Sequence, residues 1–90
     1  MLTLETVPTP RPNVIGRVVD QEAVLVLPQQ GQVKVLNEVG AAIWALLDGE
    51  RNIRQISAEI CKQFEVEPVI AETDTLKFIA DLVERKIVSI

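Results

Sequence analysis

Ninety residues, 48% of them apolar and 24% charged, suffice for one folded domain with a single core. A net charge of −4 and a sequence pI near 4.7 oppose polyanionic partners, because nucleic-acid binders displace phosphate counterions with Lys and Arg. With no His, no Tyr and one Cys, the chain has no means to an internal disulfide, the usual zinc or non-haem iron cages, or the conventional base-and-nucleophile pairs of catalysis.

In chain order, Pro8, Pro10 and Pro12 mark residues 1–12 as an extended arm without a core of its own, and leave 13–90 as the folded domain. Residues 13–19 are rich in β-branched side chains and predict a strand, closed by the polar turn Asp20-Gln21-Glu22. Ala23-Val24-Leu25-Val26-Leu27 is continuously apolar and short, which predicts a central strand covered on both faces. Pro28-Gln29-Gln30-Gly31 reads as a hairpin loop, with Gly31 free to take positive φ. Gln32-Val33-Lys34-Val35-Leu36 alternates polar and apolar as far as Val35, so the third strand is half-exposed and forms the sheet edge.

From Asn37 the period becomes helical. Asn37 is an N-cap, Val39, Ile43 and Leu46 share a face, and Gly49 supplies the stop. Asn52 caps a second helix and forms a capping-box pair with Gln55, ahead of a stripe at Ile53, Ile56, Ile60 and Phe64. Pro68 suits the first turn of a third helix reaching about Lys86, with Leu76, Ile79, Ala80, Val83 and Ile87 on its buried side. Residues 88–90 allow only a strand stub. Three strands followed by three helices is an α+β arrangement, and the two last helices after a third suit a winged helix-turn-helix-like domain with its sheet placed first.

Phe78 and Leu82, at i and i+4, lie off the main apolar stripe of the third helix. Either both are core, or they face a hydrophobic groove between the third helix and the third strand. A half-exposed edge strand beside such a groove is the arrangement for β-augmentation, in which an extended peptide pairs with the edge and drops alternate side chains into pockets. Trp44 shares a helix face with Gly40, whose missing side chain leaves room for a ring or a neighbouring backbone. Cys61 beside the second stripe reads as a small hydrophobe. Glu65, Glu67, Glu72 and Asp74 surround the start of the third helix, complementing its dipole without forming a chelating loop. The third helix bears Glu72, Asp74, Asp81 and Glu84 against Lys77, Arg85 and Lys86, a balance that opposes DNA. No catalytic residue, metal ligand or cofactor site is expected. The opening residues lack a signal-peptide pattern and no run is long enough to span a membrane, so a cytoplasmic protein is expected.

The stretch from Leu36-Asn37-Glu38 through Ile43-Trp44 to Leu46-Leu47-Asp48-Gly49-Glu50-Arg51 closely resembles the central signature of the PqqD-like family. The likeness continues through Ile56, Phe64, Val66 and Pro68 to 74–79, Leu82 and 86–88, covering roughly 13–90. The resemblance implies a winged-helix-like domain that binds the leader segment of a ribosomally made precursor peptide and presents it to a modifying enzyme, often a radical S-adenosylmethionine protein. A monomer or weak homodimer is expected. In this family the leader pairs with the third strand and packs on the third helix. Carried over, Gln32, Val33, Lys34, Val35 and Leu36 offer backbone hydrogen bonds, and Thr75, Phe78, Leu82 and Arg85 line the other wall. The chain departs from the pattern at Lys86, where many members have Gly, which leaves the ending of the last helix open. Membership of the pyrroloquinoline quinone pathway itself and a winged-helix transcriptional regulator are the alternative readings.

Overall fold

The computed structural model describes residues 2–27 and 30–90. Pro28 and Gln29 of the expected hairpin loop lie outside them. Strand β1 (Thr9–Pro10) is followed by β2 (Ile15–Val19), β3 (Glu22–Leu27) and β4 (Gln32–Leu36). Helices α1 (Glu38–Ala45), α2 (Ile53–Phe64) and α3 (Pro68–Glu84) follow, and β5 (Val88–Ser89) ends the chain. The fold is α+β, as expected, but the described residues form five strands in two sheets rather than three in one.

The larger sheet has the antiparallel order β2-β3-β4. Its register sets Gly16 opposite Leu25 and Lys34 opposite Leu25 from the other side, while Ala23 faces Leu36. Because opposite residues share a face, Ala23, Leu25, Leu27 and Leu36 all point to the helices and are buried. The other face carries Ile15, Val24, Val26, Val33 and Val35, of which Val33 and Val35 are 63% and 61% exposed. The expectation that β3 is covered on both faces therefore fails: its continuous apolar run serves one covered face and one open one.

The core joins that sheet face to Ile43, Ile53, Ile56, Ile60, Ile79, Leu82, Ile87 and Val88. Helix α1 starts as its cap predicts, with the Gly40 N–H donating to Asn37 Oδ1 at 2.9 Å. It ends earlier than Gly49, at the cap residue Leu46. Its buried face is Gly40, Ala41 and Ile43, while Val39 is exposed and Leu46 half-buried. Asp48 and Gly49 instead form the link to α2. Asp48 Oδ1 accepts from the N–H groups of Glu50 and Arg51, both at 2.9 Å, and these bonds hold its carboxyl below the usual carboxylate range. Gly49 takes φ +78°, where a side chain would be strained. The capping box of α2 is complete, with Gln55 N–H to Asn52 Oδ1 and Asn52 N–H to Gln55 Oε1, each 2.9 Å.

The arm is not loose. The N–H groups of Ile53 and Arg54, at the start of α2, donate to the carbonyls of Thr6 and Leu4 at 3.0 and 2.9 Å. They are two of the donors that a helix start leaves without partners, so the arm completes what the capping box begins. Arg54 also grips Glu5 through Nε and Nη2, which raises the guanidinium pKa further. Further on, Thr9 and Pro10 pair with Ser89 and Val88, and the Arg11 N–H donates to the Ile87 carbonyl at 2.9 Å. Pro8 is buried.

Candidate functional site

Strand β4 is the last in its sheet, and among the described residues its outer edge pairs with no other strand. An unpaired edge presents alternating N–H and C=O groups ready to receive an added strand. Helix α3 packs chiefly on α2 and β5. The space between β4 and α3 is bordered by the strand on one side and by one flank of the helix on the other.

Turning ~100° per residue, Phe78, Asp81 and Arg85 fall on that flank. The Phe78 ring stands at one end, beside the start of α1. A Cβ on Gly40 would lie 3.1 Å from Phe78 Cε1 and 3.3 Å from Leu36 Cβ, so Gly40 is what lets α1 approach the ring this closely. Towards the other end, Lys34 Nζ reaches across to Asp81 Oδ2 at 3.5 Å. Arg85 Nε meets both carboxylate oxygens of Asp81, at 3.2 and 3.0 Å. Gln30 Nε2 donates to the Arg85 carbonyl at 3.3 Å.

The residues expected to wall the groove separate into two groups. Phe78 is half-buried and Arg85 exposed, both with surface left to offer, whereas Thr75 and Leu82 are fully buried. The physical reason is the rotation of α3. Its deepest stripe is Ala71, Thr75, Ile79 and Leu82, while Leu76 and Val83 are half-buried and Ala80 is exposed. Leu82 thus belongs to the core, and Phe78 stands at its rim. On β4, the outward-facing Val33 and Val35 are exposed, the inward-facing Lys34 is half-buried and Leu36 is buried. Asp81 is the member sequence reasoning missed. Its spacing to Arg85 was legible, but its meeting with Lys34 depends on how α3 docks.

A recess of about 270 Å³ lies on the side of α1 turned away from Gly40, among Val18, Ala41, Ala42, Ala45 and Phe64 with Gln21, Glu38 and Gln63. It shares no residue with the β4–α3 space. Among the described residues no three His, Cys, Asp or Glu side chains converge as metal ligands, and no helix is long and apolar enough to cross a membrane. Cys61 is half-buried.

The sequence profile of the family described as Coenzyme PQQ synthesis protein D (PqqD) matches residues 22–88. The chain belongs to the PqqD family. The profile spans β3 to β5 and so takes in both walls of the β4–α3 space. Among solved structures, this PqqD-family chain is similar to TbiB1 in complex with the TbiA(beta) leader peptide, with a TM-score of 0.83 and 27% identity over 90% of this chain and 94% of that one. The PqqD truncation of Methylobacterium extorquens PqqCD, described as a functional and stand-alone recognition element for ribosomally synthesised and post-translationally modified peptides, also has a TM-score of 0.83. It is 23% identical and covers 100% of this chain and 96% of that one. A lasso peptide synthetase B1 complexed with its leader peptide superposes with the same TM-score at 22% identity, covering 94% of this chain and 100% of that one. No curated protein matches the chain.

Proposed function

We propose that this protein binds the leader segment of a ribosomally made precursor peptide as an added strand on β4 and presents it to a modifying enzyme. The observation that carries the reading is the open edge of β4 facing the Phe78 flank of α3, in a chain of the PqqD family. Main-chain pairing along 32–36 supplies affinity irrespective of sequence, and the ring of Phe78 supplies an apolar contact for one inward-facing leader side chain. TbiB1, 27% identical, has its structure determined with a leader peptide bound, which supports the same role here. The protein acts as a non-catalytic adaptor without a cofactor, in the cytoplasm, with a winged-helix-like arrangement of its helices and sheet. Radical S-adenosylmethionine proteins, often the modifying enzymes served in this family, are the partner class to test first. Thr75 and Leu82 support the groove from beneath rather than line it.

The test is a titration of labelled protein with leader peptides from short reading frames neighbouring its gene. Amide shifts should concentrate at Val33 to Leu36 and around Phe78. Phe78→Ser should weaken binding about tenfold to a hundredfold while leaving a folded domain, since the leader forfeits the burial of about one apolar side chain. Ile56→Ser, in the centre of the core, should mainly unfold it. Shifts confined to other surfaces would reject the assignment.

A further inference from the structure

The ion pair between Lys34 and Asp81 stands where a bound peptide would put its side chains. Lys34 lies opposite Leu25 in the register, so it points to the covered face of the sheet, and its ammonium crosses to α3. A strand added outside β4 would run about 4.8 Å away, and its residue directly opposite Lys34 would point to the same face. That side chain enters the space that the Lys34–Asp81 pair spans. The residue two positions along stands opposite Leu36 and meets the Phe78 end.

The charges there are not balanced. Lys34 and Arg85 supply two cations against the single carboxylate of Asp81. Arg85 holds Asp81 by contacts to both its oxygens at 3.2 and 3.0 Å, on the same helix at i+4 spacing. Lys34 holds it by one contact at 3.5 Å from across the gap. When a peptide side chain enters, the longer, bridging contact is the one to give way, and Asp81 keeps its partner. Lys34 is then the cation in need of an anion, and its side chain is only 25% exposed, so water replaces that anion incompletely.

Resting on the leader-binding reading above, we infer that Lys34 selects leaders carrying an Asp or Glu two residues from the apolar side chain that meets Phe78. Backbone pairing then fixes that a strand binds, Phe78 fixes where its apolar residue sits, and Lys34 fixes the charge of the neighbouring inward position. A Lys or Arg at that position meets Lys34 directly and is rejected.

The probe is a library of short capped synthetic peptides in which Glu, Gln or Lys stands two residues before or after a fixed Leu. Binding is followed by amide shifts and calorimetry at low and high salt. The Glu peptide should bind about two- to fivefold more tightly than the Gln peptide, and about tenfold more tightly than the Lys peptide, with the ratio shrinking as salt rises. Lys34→Gln should abolish the preference and Lys34→Glu should invert it, each with a thermal midpoint near that of the parent. Peptides that shift 32–36 but bind equally, or whose preference survives Lys34→Gln, overturn this inference and leave the leader-binding reading standing. If no peptide shifts 32–36, that reading falls and the inference falls with it.

Discussion

The Trp44 indole lies over Gly16 so closely that a Cβ there would stand 2.5 Å from Nε1 and 3.1 Å from Cε2, with Leu25 Cδ2 at 3.2 Å on the other side. Gly16 is thus the gap in β2 through which the end of α1 reaches the sheet. Ala at position 16 has β-propensity in its favour, yet it has nowhere to put a methyl without moving a ring and a core leucine. Gly16→Ala should therefore destabilise the domain by about 1–3 kcal/mol. Trp44 is the single tryptophan, so its emission should shift in the same variant. A melt and a spectrum unchanged from the parent would show that the ring has room to move.

That proximity also marks the limit of what the chain discloses before folding. Capping at Asn37 and Asn52, the period of α2 and the edge position of β4 are local, and each is written in a few neighbouring residues. The i, i+4 spacing of Gly40 and Trp44 places both on one side of α1 but does not say what stands opposite. Gly40 meets Phe78 and Trp44 meets Gly16, pairings set by how three distant elements dock. The arm reads as extended and without a core of its own because Pro8, Pro10 and Pro12 punctuate it, yet a two-residue ladder to β5 and two N–H groups at the start of α2, donating to its Thr6 and Leu4 carbonyls, hold it in place. In the groove, β4 was legible from alternation. The face of α3 was not, because its apolar residues nearly encircle it and only packing chooses the deepest stripe.

Leu82 tests that choice. It is fully buried beside Ile79, whereas Phe78 keeps part of its surface. Leu82→Ala should cost about 2–5 kcal/mol, a large share of the stability of a small domain, with any loss of peptide binding following from unfolding. Stabilised by osmolyte or lower temperature, the folded fraction should bind peptide as the parent does. A variant with parental melting but weakened binding would place Leu82 in the groove.

The end of α3 predicts a gain. Lys86 has φ +62°, the left-handed region that favours Gly, and the Lys86 and Ile87 N–H groups donate to the carbonyls of Val83 and Leu82 at 3.0 and 2.9 Å. This pair of bonds is the Schellman ending, with the buried Ile87 packing back over the last turn. Gly, frequent at this position in the family the chain resembles, is therefore absent without the ending being lost. A left-handed non-glycine residue costs roughly 1–2 kcal/mol, and a glycine gives part of this back through the greater freedom of the unfolded chain. Lys86→Gly should raise stability by about 0.5–1 kcal/mol in a denaturant melt. Lys86→Val, β-branched in the same conformation, should lower it.

Thr75 predicts a larger gain from a smaller change. Its side chain has no exposed surface, and among the described residues its Oγ1 has no hydrogen-bond partner. Thr73, on the same helix, shows the usual remedy, since its hydroxyl donates to the Val69 carbonyl at 2.9 Å. Thr75 lies on the deepest stripe with Ala71, Ile79 and Leu82, and among the described residues no polar group answers its hydroxyl. A buried hydroxyl without a partner costs about 1–3 kcal/mol, and Val matches Thr closely in shape and in helix propensity. Thr75→Val should therefore stabilise the protein by about 1–2 kcal/mol, and each kcal/mol raises the midpoint of a domain this size by about 4–8 °C. Thr75→Ser supplies the opposite sign, because it keeps the hydroxyl and removes a packed methyl, at a cost of about 1 kcal/mol. Peptide affinity should be the same for Thr75→Val as for the parent, since the side chain is sealed under α3. A Val variant that melts lower would mean that the hydroxyl is bonded in solution. One that melts higher but loses peptide would mean that Thr75 leaves the core when the leader binds.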